Sequence, residues 1–199
     1  MFEADLTGGA TDTHDPRDAR GGGPGYSRAR RLLRGSLADQ ALTNALDHDR
    51  LAGALLFYGP SGVGKWAAAS LLAAALNCPR RDKDSALGSE HEWNPASRQI
   101  FAGSFPDFLW VAPQPSSKNE TEEMELANDF FQQKRHEPLK VVRWSRPSRI
   151  SIERARRIKR RLFQTPAPGV TRVVVFYEIE TMAHGAVDSL LKMIEEPPP

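Results

Sequence analysis

The sequence predicts an α/β fold with a mostly parallel sheet, and three observations carry that expectation. Short apolar runs alternate with stretches of helical periodicity, the order that builds a parallel sheet covered by helices. A glycine-rich loop, Gly59-Pro60-Ser61-Gly62-Val63-Gly64-Lys65, falls between one such run and one such helix. The run "RVVVFY" (172–177) holds four consecutive apolar residues and reads as the clearest buried strand in the chain.

Taken in order, residues 1–27 lack periodicity and end in "ARGGGPGYS", which predicts a flexible tail, with the folded domain running from 28 to 199. Leu37, Ala41, Leu42, Ala45 and Leu46 recur at helical spacing, with Ser36 as their N-cap. "ALLFY" (54–58) is a short apolar run ending at Gly59-Pro60, so a buried parallel strand is expected there. "KWAAASLLAAALN" (65–77) is rich in strong helix formers. Residues 79–107 are polar and irregular, whereas "FLWVA" (108–112) predicts a second buried strand. Residues 113–138 read as an insertion or long loop with some helix, and "LKVVRW" (139–144) as a short surface strand. Ser151 is placed to cap "IERARRIKRRLFQ", with Glu153 near the positive helix start. An amphipathic helix over 184–196 is stopped by Pro197 to Pro199.

Composition narrows the class. Hydrophobic residues make up 40% and charged residues 26% of the 199, a globular rather than a disordered balance. The lone Cys78 excludes an internal disulfide framework and fits a reducing compartment. No apolar run approaches the ~20 residues of a membrane span, and the acidic start "MFEADLTGGATDTHD" is unlike a signal peptide, so a soluble cytoplasmic protein is expected. A net charge of +2 argues neither for nor against nucleic acid.

The loop carries the chemistry. In the pattern G-x-x-x-x-G-K-[ST], glycines let backbone N–H groups wrap phosphates, lysine neutralises the outer ones, and the final hydroxyl holds magnesium. Gly59, Gly64 and Lys65 fit, Pro60, Ser61, Gly62 and Val63 fill the loop, and Trp66 stands where the hydroxyl belongs. An indole has one N–H donor and no oxygen, so it is no magnesium ligand. Trp66 is expected either to pack into the core behind the loop or to intrude where phosphate and metal would sit. The second half of such a site is an apolar strand ending in carboxylates. Here Tyr177 replaces the first, and Glu178 remains as a vestigial candidate base. Two magnesium positions are lost together, which predicts a site no longer used for hydrolysis, open to ATP without turnover, with magnesium bound weakly or not at all.

"LAGALLFYGPSGVGK", "AGSFPDF" and "TRVVVFYEIETMAHGAVDSLLKMIEEPPP" together resemble the bacterial clamp-loader ATPases of the AAA+ class, P-loop NTPases. The segment with Leu190, Leu191, Lys192, Glu195, Glu196, Pro197 and Pro198 in register is the most diagnostic of the three. The likeness covers roughly residues 30–112 and 150–199. It implies a partial AAA+ core, incomplete at the C-terminus without lid and collar domains, and hence a fragment of marginal stability. It also implies a place in the DNA polymerase III holoenzyme beside other clamp-loader subunits, acting on the sliding clamp at primed DNA. In that family motor subunits keep both magnesium positions, and the delta-prime type, with a degraded site, serves as a stator; this chain resembles the latter. The family's zinc cysteines align with Cys78, His91, Asn94 and Ser97, too few ligands for structural zinc, so no zinc and a 79–107 region looser than in relatives are expected.

Residues 143–163 hold nine basic side chains against one acidic. Ile152, Ala155, Ile158 and Leu162 form an inward stripe, leaving the arginines of 143–161 either as a solvated face or as a contact for DNA backbone or an acidic partner. The readings left open are a non-hydrolysing clamp-loader subunit, an active magnesium-ATPase of the same family using Lys65 and Glu178, and a regulatory protein whose nucleotide is a structural plug.

Overall fold

A computed structural model describes residues 23–78, 85–87 and 95–195. Helix α1 (Gly23–Leu33) begins inside the stretch read as tail: Tyr26 is only 1% exposed and packs, ring tilted, on Phe101 at 4.3 Å between centroids. Tyr26 and Ala29, one turn apart, form its buried stripe. Gly25 permits the close approach, because a Cβ there would lie 2.1 Å from the His136 carbonyl oxygen.

Helix α2 (Leu37–Asp47) is capped by Ser36, whose Oγ accepts from Asp39 N at 3.2 Å. Asp39 returns a bond from Gly35 N (2.8 Å) and also accepts from Ser85 Oγ and Leu87 N, both at 2.7 Å. A buried carboxylate with three donors is thus satisfied, and it ties 85–87 to the helix.

Helix α3 (Lys65–Leu76) is apolar all round and buried from Trp66 to Ala75, as a central helix must be. Its C-cap Asn77 exchanges two bonds with the Thr171 backbone, at 3.0 and 2.9 Å. Helix α4 (Pro95–Ala102) buries Ile100 and Phe101. His91 and Asn94 lie outside the described residues, Ser97 is buried on α4, and Cys78 is half-buried.

Strand β1 (Phe108–Val111) is followed by the short β2 (Gln114–Pro115) and by helix α5 (Glu120–His136), 17 residues where an insertion or long loop with some helix was expected. Asn119 caps α5 through Glu122 N. The expected surface strand at 139–144 does not form. Val142 is buried, Trp144 donates to the Pro113 carbonyl at 2.9 Å, and the pairing falls later, where β3 (Ser148–Arg149) runs antiparallel to β2. Helix α6 (Ile152–Leu162) is capped by Ser151, β4 (Val173–Phe176) follows, and α7 (His184–Glu195) closes the order. Glu196 to Pro199 lie outside the described residues.

Strands β1 and β4 pair in parallel, Phe108 opposite Val173 through Val111 opposite Phe176. Side chains alternate between the faces of a strand. Phe108, Trp110, Val173 and Val175 therefore meet α3, whereas Val111 and Phe176 join Ile150, Ala155, Ala186 and Leu190 of the α6–α7 side. Arg172 locks the start of the pair, its Nε donating to Asp107 Oδ1 at 2.7 Å.

The run 54–58 is not a strand. Leu56 and Tyr58 are 76% and 89% exposed. A parallel strand exists only through bonds to a neighbour, and among the described residues none pairs with this run. No helix among the described residues is long and apolar enough to cross a membrane.

Candidate nucleotide site

The loop Gly59–Trp66 enters α3 through a tight turn. Gly59, Gly62 and Gly64 hold φ of +139°, +86° and +97°, a region that L side chains rarely adopt. At Gly64 a Cβ would also sit 3.0 Å from Leu139 Cδ2, so the segment after α5 leans on the loop. Pro60, Ser61 and Val63 are exposed. The first turn of α3 leaves N–H groups without intrahelical acceptors beside this opening, where a helix dipole favours an anion. Lys65 folds back on the loop, its Nζ donating to the carbonyls of Gly59 (2.6 Å) and Pro60 (2.8 Å).

Trp66 turns the other way. It is 2% exposed, and its indole meets Phe130, Tyr177, Trp110, Phe131 and Phe108 edge-on, at 5.4 to 6.4 Å between centroids. Its Nε1 donates to the Tyr26 hydroxyl at 3.1 Å, Tyr26 donates to Ser70 Oγ at 3.4 Å, and Ser70 donates to the Trp66 carbonyl at 3.0 Å. Of the two expectations for Trp66, core packing is the one found. Burial pushes the Tyr26 phenol up to about 12, so it stays a neutral link in this circuit.

Tyr177 follows β4 directly, and its ring packs on the same indole. Its hydroxyl accepts from Lys134 Nζ at 3.3 Å, and the Lys134 ammonium stands 4.5 Å from the ring centroid. Burial, with the neighbouring Glu178 carboxylate adding to it, raises this phenol to about 12, leaving it neutral at any ordinary pH. Glu178 is half-buried and adopts φ +51°, ψ +55°, a left-handed conformation uncommon outside glycine and asparagine. A magnesium ion wants anionic or hydroxyl oxygens. The Trp66 indole is spent on Tyr26, and the Tyr177 oxygen faces an ammonium.

Lys134 is the site residue that sequence reasoning missed. It comes from α5, is 2% exposed, and also donates to the Lys140 carbonyl at 2.6 Å. Burial lowers its ammonium to about 8; the Glu178 carboxylate opposes the fall, and the Lys65 ammonium adds to it. The spacing Phe130, Phe131, Lys134 was the available signal, a helical stripe interrupted by a cation.

Comparison with known proteins places these features. The family model described as "DNA polymerase III, delta subunit" matches residues 36–199, more than four fifths of the chain. DNA polymerase III subunit delta' of Pseudomonas aeruginosa PAO1 is 29% identical over 146 residues, 73% of this chain and 34% of that protein. Subunit tau of Bacillus subtilis 168 is 25% identical over 159 residues, covering 80% of this chain and 22% of that protein. Subunit tau of Escherichia coli K12 is 28% identical over 158 residues, covering 79% of this chain and 19% of that protein. The chain thus spans between a fifth and about a third of the length of these relatives. A glycine loop opening α3, the parallel β1–β4 pair and a family match over nearly the whole described region agree: this chain belongs to the DNA polymerase III delta-subunit family of clamp-loader proteins.

Proposed function

We propose that this chain acts in the cytoplasm within the DNA polymerase III clamp loader as a non-hydrolysing, stator-type subunit. It would assemble with other clamp-loader subunits and through them help to load the sliding clamp at primed DNA. The observation that carries this reading is the use to which the two magnesium positions are put. Trp66 is committed to the core, and Tyr177 is a neutral phenol bonded by a buried lysine. Hydrolysis needs a metal to neutralise charge developing on the transferred phosphoryl group, and these side chains supply it no ligand. Gly59, Pro60, Ser61, Gly62, Val63, Gly64 and Lys65 keep a loop that suits ATP binding without turnover, with Glu178 a vestigial base.

The test is phosphate release by the full chain and by the Trp66→Thr/Tyr177→Asp double variant, with magnesium, alone and mixed with partner subunits. No release by the native chain, with release gained by the double variant, supports a decayed motor serving as a stator. Magnesium-dependent release by the native chain would overturn the reading in favour of an active ATPase.

A further inference from the structure

We propose that Lys134 is the resident cation of the glycine loop: its ammonium takes the place of magnesium, so that the loop holds a polyphosphate chain without a divalent metal. This rests on the nucleotide-site reading above and adds to it a residue and a mode of charge compensation.

A polyphosphate held by the loop needs more positive charge than Lys65 alone provides, and metal would normally supply it. The chain supplies it instead from α5. Phe130 and Phe131 stack on Trp110, each at 5.4 Å, which fixes the α5 turn that carries Lys134. Lys134 Nζ then reaches the hydroxyl of Tyr177, the residue at the first carboxylate position. The peptide that follows α5 lies against the loop itself. A Cβ at Gly64 would meet Leu139 at 3.0 Å, and one at Gly62 would meet Val141 at 3.8 Å. Lys140, between them, gives its carbonyl to Lys134. The ammonium is therefore held beside the loop by the segment that packs on it.

Two of the three ammonium donors go to Lys140 and Tyr177. Glu178 provides the opposing charge and Lys65 stands near enough to be felt. A buried ammonium is costly unless its charge is used. A dication placed beside it would be repelled, so lysine and magnesium are alternatives at this position.

The experiment is a binding titration of the full chain with ATP and with inorganic tripolyphosphate, each in EDTA and in magnesium, for the native chain, Lys134→Gln, Lys134→Arg and Lys65→Ala. The native chain is expected to bind both ligands equally in the two buffers. Lys134→Gln should weaken binding of both by about tenfold or more, the worth of one charge-assisted contact, and Lys134→Arg should restore most of it. Lys134→Gln should melt no lower than the native chain, which separates a charge role from a packing role. If Lys65→Ala weakens binding but Lys134→Gln does not, or magnesium strengthens native binding tenfold, the role of Lys134 is overturned and the nucleotide reading stands. ATP binding without tripolyphosphate binding also overturns the proposal, because the phosphate chain would not be what is held. A native chain that binds neither ligand in either buffer overturns both readings.

Discussion

The ammonium of Lys134 lies 3.3 Å from the hydroxyl oxygen of Tyr177 and 4.5 Å from the centre of its ring. The pair joins a helix and a strand end 43 residues apart in sequence. It also joins the two halves of the site, since the same phenol packs on Trp66 at the head of α3.

Burial of Lys134 makes stability depend on pH in an unusual direction. Its folded-state ammonium titrates at about 8, below the ordinary 10.5. Between those values the unfolded chain keeps a proton that the folded chain has released, so stability rises with pH across this window. The full effect is on the order of 3 kcal/mol. Tyr26 and Tyr177, both raised from 10 to about 12, act oppositely above pH 10, because the folded chain then holds protons that the unfolded chain loses. Urea midpoints should climb from pH 7 to about 10 and fall beyond it. In Lys134→Met, the climb should vanish; a climb of equal size in that variant would assign it to another group.

Trp66 gives the largest expected single loss. Trp66→Thr removes most of a fully buried indole, leaves a cavity among five aromatic rings, and strips the Tyr26 hydroxyl of its donor. Large-to-small core changes of this kind cost about 3–5 kcal/mol. Equilibrium denaturation should show that loss, with Trp66→Phe falling well short of it. A loss under about 1 kcal/mol, as at an exposed position, would mean that the indole is not in the core. The same loss sets a condition on restoring the magnesium positions: the double variant must be assayed below its lowered midpoint.

Asp39 should behave as a structural carboxylate. Asp39→Ala removes three hydrogen bonds, from Gly35 N, Ser85 Oγ and Leu87 N, and takes the acceptor from the buried Leu87 N–H. Unsatisfied buried donors cost about 1–3 kcal/mol each, so the change should exceed 2 kcal/mol and release the 85–87 segment. Hydrogen exchange at Leu87 should accelerate together with the fall in stability. Unchanged protection there would disprove the tie.

What was legible in the sequence was what is decided locally. Ser36 and Ser151 each cap a helix through a bond to the residue three positions on, so the pattern and the contact lie within one turn. The apolar run at 173–176 and the helix after Lys65 were readable for the same reason. The run 54–58 also looked strand-like, but a strand is a property of a pair, and among the described residues this one has no partner. The core burial of Trp66 is bound up with Tyr26, 40 residues away, and Lys134 became a site residue only because Phe130 and Phe131 dock α5 on Trp110. No local pattern announces such contacts, although the stripe in α5 hinted at one. The five residues Gly23–Ser27 misled differently: glycine and proline suggested a tail, while Gly25 is there to let α1 close on the end of α5.

The basic helix α6 allows a prediction about DNA. Its inward stripe is as expected, with Ala155 fully buried and Ile152, Ile158 and Leu162 packed around it. The arginines are not equivalent. Arg154 and Arg157 are both engaged by Glu123, the former at 2.8 Å, and Arg146 pairs with Glu122 at 3.5 Å. Arg156 and Arg160, one turn apart, are exposed. If this face contacts phosphates, the contact is sequence-independent, and each arginine lost should lower the salt slope of log K by about 0.9. Arg156→Ala/Arg160→Ala should therefore reduce the slope for a primed duplex by about two, whereas Arg157→Ala should change it by less, its charge being already compensated by Glu123. Glu123→Gln should raise affinity at low salt by freeing that charge. Binding by the full chain that ignores all three changes would remove α6 from the interface and leave its arginines as a solvated face.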